Sequence, residues 1–462
     1  MTAGVAPHPA SFRDPGSGVL TSGDSFIRFF RGDAIRDFEQ AEANGLLQRL
    51  VTSGRLLPFE RVVPTPDVEA LAGPGSLTVR QQALPFVSYP YEWPFSMLRA
   101  AALLQLDVLV EALRTGLSLK DGSAVNVQFL GANPVFIDLG SFLRHQGGPW
   151  AGYAQFCRTC LNPLLLTSMM GVPFGPWLRG SPGGIEAADL SRLLPVWRKL
   201  RPPVLTHVWL QAALQNRIGA VKPSSIKGRA LTAKMLVKTA TSLAGSITGL
   251  KPPKRPTGWL EYRNPVSYSA SARADKLTFV ERVLTAAQPK CVWDVGSNNG
   301  EFAILAARQG AYVVATDSAP DVVDALARRV EGEIGRRILP LIVDAADPSP
   351  AQGWAGGEWA AFADRGRFDL VLMLALVHHL RFGANVPLSR IVPWMAASAP
   401  RGIVEFVPKA DPMVQQLLRW RADVFDDYDR TTFERLLRSH ASIVEVHEVA
   451  DSARTLYVFG PK

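Results

Sequence analysis

The chain has 462 residues, 47% hydrophobic and 20% charged, more than one ordinary core holds, which predicts two or three globular domains. Three cysteines exclude a disulfide framework, and no basic segment leads into an apolar run at the N-terminus, so no secretory signal and a cytoplasmic location are expected. The formal charge of +9 is unevenly spread: thirteen Lys and Arg, with no Asp or Glu, fall between Leu190 and Leu260, which leaves the remainder at −4.

In chain order, residues 1–155 read as an α+β region. Strand-like pieces come first, then a helix with few charges from about 96 to 116, then short strands near 125–129 and 135–139. Before the helix, "LPFVSYPYEWPFSML" places five aromatics between Phe86 and Phe95. They can stack a sugar or a base, or pack as a hinge onto a domain core, and packing is the simpler reading.

After the helix, "SLKDGSAVNVQFLGANPVFIDLGSF" sets Asn126 five residues beyond Asp121 and Asp138 twelve further on. This resembles the catalytic loop and metal-binding turn of protein-kinase-like phosphotransferases. The resemblance implies Asp121 as base and Asn126 and Asp138 as magnesium ligands. Leu119-Lys120 replaces His-Arg, no G-x-G-x-x-G loop precedes it, and no lysine occurs before Lys120. Arg28 is not an equivalent substitute for a phosphate-pairing lysine. A relic or binding module is expected, with a bifunctional kinase–methyltransferase acting on a glycan or lipid-linked carrier as the alternative.

Residues 156–257 read as a helical basic segment ending in the linker "KPPKRPTG". Cys157 and Cys160 form a CxxC pair with no second metal-spaced pair, as expected of two helix residues one turn apart. The apolar run Leu161 to Leu178 is broken by Pro163, Pro173 and Pro176, which argues against a membrane span. Lys234 and Lys238 fall four apart on a modestly amphipathic helix over 229–250. Residues 190–260 suggest contact with an anionic surface or simply a basic connector. Nucleic acid is not favoured, because 229–250 holds no aromatic to stack a base.

From 258 to 462 strands and helices alternate. Strands are predicted at 291–295, 312–316, 339–343, 369–374 and 402–407, with two more near 442–448 and 454–459. Amphipathic helices fit between the first five, which implies a parallel α/β sheet. Ligands of such sheets sit at the carboxyl ends of the strands. The first turn there is Asp294-Val-Gly296-Ser297-Asn298-Asn-Gly300, where glycine permits dihedrals that a Cβ forbids. Asp317, 21 residues after Gly296, is placed to accept both ribose hydroxyls. Asp344, closing the third strand, is placed to reach an adenine amino group. Glu301 would repel a pyrophosphate at the helix N-terminus and tolerate an amino-acid cofactor, which favours S-adenosylmethionine over NAD.

These pieces, "VWDVGSNNG", "VVATDS", "LIVDAAD" and "FDLVLMLALVHHL", resemble the class I S-adenosylmethionine-dependent methyltransferases. The flanks "LEYRNPVSYSASARADKLTFVERVL" and "GIVEFVPKADPMVQQLL" are similar to a bacterial nodulation-type subgroup. The resemblance implies a Rossmann-like seven-stranded sheet and an S-adenosylmethionine site built on Asp294, Gly296, Ser297, Asn298, Gly300, Asp317, Asp344 and Leu374. It also implies methyl transfer to an O or N acceptor; the leading expectation is an unidentified, small-molecule or glycan-type substrate that the N-terminal region selects. Asn298 departs from the usual middle glycine. His378, His379 and Glu405 are the candidates for substrate contact or for taking the acceptor's proton. A non-catalytic scaffold is a third reading, opposed by the intact Asp294/Gly296/Gly300/Asp317 set.

Overall fold

β-Branched and aromatic runs near the N-terminus close into an antiparallel sheet. β1 (Ala6–Pro7), β2 (Ser17–Ser22), β3 (Ser25–Phe30), β4 (Phe59–Arg61) and β5 (Leu77–Gln82) stand in the order β1-β2-β3-β5-β4. The computed structural model describes residues 4–23, 25–199, 232–252, 269–420 and 422–462. The helix Asp33–Ala43 buries Phe38 and Ala41 beneath the sheet, where Phe38 meets Phe30 and Phe59. The predicted low-charge helix spans Phe95–Arg114 and is buried along its length from Phe95 to Leu113, which explains its composition. Two short antiparallel pairs follow: β6 (Leu117–Leu119) and β7 (Val127–Leu130), paired respectively with the later β9 (Phe142–Arg144) and with β8 (Asn133–Phe136).

Residues 156–199 and 233–248 are largely helical, while 200–231 and 253–268, which hold most of the basic segment and its linker, lie outside the described residues. Cys157 and Cys160 are free thiols in a π-helical turn, and burial pushes both up to about 12, so they are packing groups. The helix Ala233–Thr248 presents Leu236, Ala240, Leu243 and Ile247 along one stripe and packs against the 95–114 helix. Arg99 Nη1 closes this contact on Leu250 O at 3.1 Å. The apolar stripe is therefore already covered, and the exposed Lys234 and Lys238 lie off it. Among the described residues no helix is long and apolar enough to cross a membrane.

The C-terminal sheet has seven strands: β10 (Cys291–Val295), β11 (Tyr312–Asp317), β12 (Ile338–Ile342), β13 (Leu370–Met373), β14 (Arg401–Phe406), β15 (Ser442–Glu448) and β16 (Thr455–Gly460). Their order is β12-β11-β10-β13-β14-β16-β15, parallel as far as β14, with β16 antiparallel to both its neighbours. Each lies within about one residue of its predicted span.

One expected element is missing. No α-helix joins β12 to β13; the chain from 344 to 368 holds the 3-10 turns Trp354–Gly356 and Phe362–Asp364 and the isolated bridges Asp344–Asp347 and Gln352–Trp359. Pro348, Pro350, Gly353, Gly356 and Gly357 disfavour a helix there. The N-terminal aromatic segment covers the vacated sheet face. Phe86 packs on Phe362 and Phe368, Tyr89 and Tyr91 stack on Trp359, and Trp293 of β10 meets Phe362 and Phe368 beneath them.

Polar groups lock the same seam. Glu92, fully buried, accepts from Arg365 Nη1 (2.7 Å) and Nη2 (2.5 Å), from Ser349 Oγ (2.6 Å) and from Tyr89 N (2.9 Å). Asp324 of the helix Pro320–Arg329 accepts from Ser96 N at 2.7 Å, at the start of the 95–114 helix. The aromatics of 86–95 thus act as core, joining the two halves of the chain.

Candidate functional site

The period-2 alternation of β10 sends Trp293 and Val295 to the seam and Val292 and Asp294 to the opposite face. That second face is covered by the helices Ala270–Ala287 and Glu301–Arg308, which bury Phe279, Val280, Ala303 and Ala307 against it. Asp294 therefore ends a central strand beneath two helices, at 3% exposure.

The loop after it is tied down by backbone bonds. Gly296 N and Ser297 N both donate to Thr316 O (2.8 and 2.9 Å), and Gly300 N donates to Ser297 O (2.8 Å). Gly296, Asn298 and Gly300 all have positive φ, at 72°, 47° and 73°. The middle position needs the left-handed region, and asparagine is among the few side-chain-bearing residues that visit it routinely. The departure at Asn298 thus keeps the path a glycine would take. A Cβ on Gly300 would come within 2.4 Å of Leu326 Cδ1, so no larger residue fits there without movement.

Asp317 ends β11 beside this loop. Its Oδ2 accepts from Asn298 N (3.0 Å) and its Oδ1 from Ala319 N (2.9 Å). Burial raises its pKa, and these N–H groups oppose the rise. Asp344 is exposed two residues beyond β12, where its Oδ1 accepts from Ala346 N at 2.9 Å. Leu374 is buried just after β13, and Leu376 Cδ1 lies 3.3 Å from where a Gly296 Cβ would stand. Glu301 is bonded to Arg273, so its charge is compensated and its repulsion of a pyrophosphate loses force.

Among the described residues, Asp294 Oδ2, Ser297 Oγ and His378 Nδ1 are buried here without a partner. They lie at the carboxyl ends of the adjacent strands β10 and β13, where such sheets bind ligands. A bare buried carboxylate oxygen is costly unless something completes it. Burial, and then Asp317, push Asp294 up to about 7, against the opposing effects of Lys276 and Ala303 N.

The rings of His378 and His379 lie tilted at 38° to each other with centroids 4.2 Å apart. Burial, then His379, Arg454 and Lys276, push His378 down to about 2, so its ring is a poor proton acceptor at neutral pH. His379 is also lowered, by burial and Arg454, and is less enclosed. Glu405, on β14, is wholly buried between Lys276 Nζ at 2.5 Å and Arg454 Nη1 at 3.5 Å. Its carboxylate therefore balances two buried cations. Arg454 in turn donates to Asp411 at 2.7 and 3.1 Å.

Lys276, Arg454 and Asp411 were not foreseen from the sequence. Lys276 did leave a signal: it stands in register with Ala272, Phe279, Val280 and Val283 on the buried stripe of its helix. A lysine on an apolar stripe needs an acid beneath it.

The acids of the N-terminal half are arranged differently. Asp138 accepts from Arg28 Nη1 (3.3 Å) and Gly140 N (3.1 Å), and Asp14 accepts from Lys120 Nζ (2.5 Å) and Ser17 Oγ (2.5 Å). Ile137 N donates to Asn126 O at 2.9 Å, which brings Asn126 beside the Asp138 turn, and Asn126 Nδ2 is buried without a partner. Burial, then Asp138, raise the pKa of Asp121. Asp121, Asn126 and Asp138 are therefore neighbours, with Arg28 already spent on Asp138.

No protein-family model matches the chain. Among solved structures the chain is similar to magnesium protoporphyrin IX methyltransferase ChlM from Synechocystis PCC 6803 with bound SAM, at 16% identity and a TM-score of 0.32, over 45% of this chain and 92% of that one. It is also similar to the N-methyltransferase NodS from Bradyrhizobium japonicum WM9, at 15% identity and a TM-score of 0.31, over 42% of this chain and 99% of that one. Along nearly its whole length, 98% of this chain and 97% of the relative, it is 35% identical to the nodulation protein NoeA of Rhizobium meliloti (strain 1021). The chain belongs to the family of that nodulation protein.

Proposed function

We propose that the chain is an S-adenosylmethionine-dependent methyltransferase acting on an O or N acceptor of a small-molecule or glycan-type substrate. The observation that carries this reading is the set of bare buried atoms, Asp294 Oδ2, Ser297 Oγ and His378 Nδ1, around a positive-φ loop closed on Asp317. The donor set fits the cofactor. Asp317 retains lone pairs for ribose hydroxyls, Asp294 suits an ammonium, and the Gly296 and Gly300 loop admits close approach. Asp344 and Leu374 would border the adenine and the sulfur end.

When bound, the cofactor supplies an activated methyl group on a sulfonium. This chain's residues position the acceptor in line with it and exclude water, as the burial beneath the 270–287 helix supports. We assign the acceptor's proton to His379, because His378 is held neutral and Glu405 is engaged by two cations. The N-terminal region would select the substrate from its place against the loop 344–368.

Calorimetry of the full chain with S-adenosylhomocysteine and, separately, with Mg-ATP tests the reading. Binding of the first alone is the expected result, and silence with the first overturns it.

A further inference from the structure

The helix Pro320–Arg329 reaches the loop after β10 at three successive residues. At its start, the N-cap residue Ala319 donates its N–H to Asp317 Oδ1 (2.9 Å), and Asp317 Oδ2 accepts from Asn298 N (3.0 Å). At its end, Arg329 Nη2 donates to Asn299 O at 2.7 Å. Between them Leu326 backs Gly300, leaving no room there for a Cβ. Asn298 stands at φ 47°, a conformation that a residue with a side chain keeps only when its surroundings hold it.

The same helix is gripped by the N-terminal half. It packs on the 95–114 helix, where Asp324, 5% exposed, accepts from Ser96 N at 2.7 Å and pairs with Arg328 Nε at 3.1 Å. The 95–114 helix begins after Pro94, which offers no side-chain cap, so its first-turn N–H groups need an acceptor from elsewhere. A carboxylate is the favoured one at that end of the helix dipole. A second hold comes from the tip of the β7–β8 hairpin, where Gly131 N donates to Tyr312 Oη (3.3 Å) and Ala132 N to Gly335 O (2.7 Å). A Cβ on Gly131 would fall 2.1 Å from Gly335 O, so the tip sits tightly. The unit of β11, helix and β12 is thus held at the start of β11, in the middle of the helix and just before β12.

We propose that the N-terminal half controls cofactor affinity by bracing the 320–329 helix against the 296–300 loop, with Asp324 as the positioning residue. Asp324 acts through Ser96 on the placement of the helix, and Asp317, Leu326 and Arg329 pass that placement to Asn298, Gly300 and Asn299. The inference rests on the reading of this site as one for S-adenosylmethionine and adds how the site is regulated.

The test uses the full chain, with hydrogen–deuterium exchange in the absence of ligand and calorimetry with S-adenosylhomocysteine. Asp324→Ala should speed exchange of the amides of 296–300 and weaken binding about tenfold. Asp324→Asn, which keeps an acceptor for Ser96 N, should restore both. Gly131→Ala disturbs the same unit from the hairpin tip, should act in the same direction, and stands in where Asp324→Ala fails to fold. Ser349→Ala loosens the seam at Glu92 instead, and should lower the denaturation midpoint without moving loop exchange or affinity. Exchange and affinity unmoved in Asp324→Ala and Gly131→Ala, or moved equally by Ser349→Ala, overturn this inference and leave the cofactor reading standing. No binding by the wild type overturns both.

Discussion

Two clusters of acids stand at the ends of β-structure in this chain, and they are treated in opposite ways. In the N-terminal half, Asp138 meets Arg28 and Asp14 meets Lys120, two pairs that tie the five-stranded sheet and its N-terminal approach to the β6–β9 pieces. Among the described residues, the donor Asn126 Nδ2 and the amide oxygen Gln105 Oε1 are buried there without a partner. In the C-terminal half the cations Lys276 and Arg454 go to Glu405 and Asp411, and Asp294 keeps a bare oxygen. An acid paired by its own chain is a strut. One left bare beneath a positive-φ loop is a place for a ligand's cation. Spacing along the sequence does not distinguish the two cases, because the pairing partners are remote: Arg28 and Asp138 are 110 residues apart.

The largest expected effect tests whether the two halves are one folding unit. Replacing Glu92 with Ala strands the buried Arg365 guanidinium among Phe86, Tyr89 and Phe362. Breaking a buried pair in this way costs roughly 3–5 kcal/mol. Chemical denaturation should show one cooperative transition moved to lower denaturant; two separate transitions would mean that the halves fold independently.

Next in size is Asp317→Ala, expected to weaken S-adenosylhomocysteine binding by roughly 2–4 kcal/mol, since charge-assisted bonds to two hydroxyls are lost. The variant also frees Asn298 N and Ala319 N, so the loop should loosen as well. An unchanged dissociation constant would break the contrast at its stronger end.

The matching change in the other cluster, Asp138→Asn, should leave cofactor affinity and methyl transfer nearly unchanged. It should lower stability by about 1 kcal/mol through the Arg28 contact. Magnesium-dependent phosphate release by the wild type, lost in this variant, would show that the first cluster also serves a ligand.

The smallest effect belongs to the basic segment. Because the apolar stripe of the 233–248 helix already lies on the 95–114 helix, replacing Lys234 and Lys238 with Glu should change stability by less than about 0.5 kcal/mol. Neither the wild type nor this variant should co-sediment with anionic vesicles through that helix. Salt-sensitive sedimentation lost in the variant would restore an anionic-surface role.

Much of the C-terminal half was legible in the sequence. Its strands are short β-branched runs, each ended by an acid, a glycine or a turn, and pairing in a parallel sheet only adds to what such runs already prefer. Glycines marked the Asp294–Gly300 stretch as a strand-end loop, but its path at Asn298, which departs from the usual glycine, was settled only by the positive φ found there. The seam was not. The absence of a helix between β12 and β13 was hinted at by Pro348, Pro350 and the glycines around 353–357, but nothing local says that Phe86, Tyr89 and Tyr91 would cover the exposed sheet face instead.

The sequence by itself determined the elements, the strand-end acids and the loop that presents them, because periodicity, turn chemistry and backbone permissiveness act over a few residues. Only the tertiary structure decided which acids are struts and which are bare, that Glu405 balances Lys276 and Arg454, and that His378 is held neutral. Those outcomes depend on burial and on charges brought together from 129 residues away in the case of Lys276 and Glu405, and desolvation belongs to the packed chain rather than to any stretch of it.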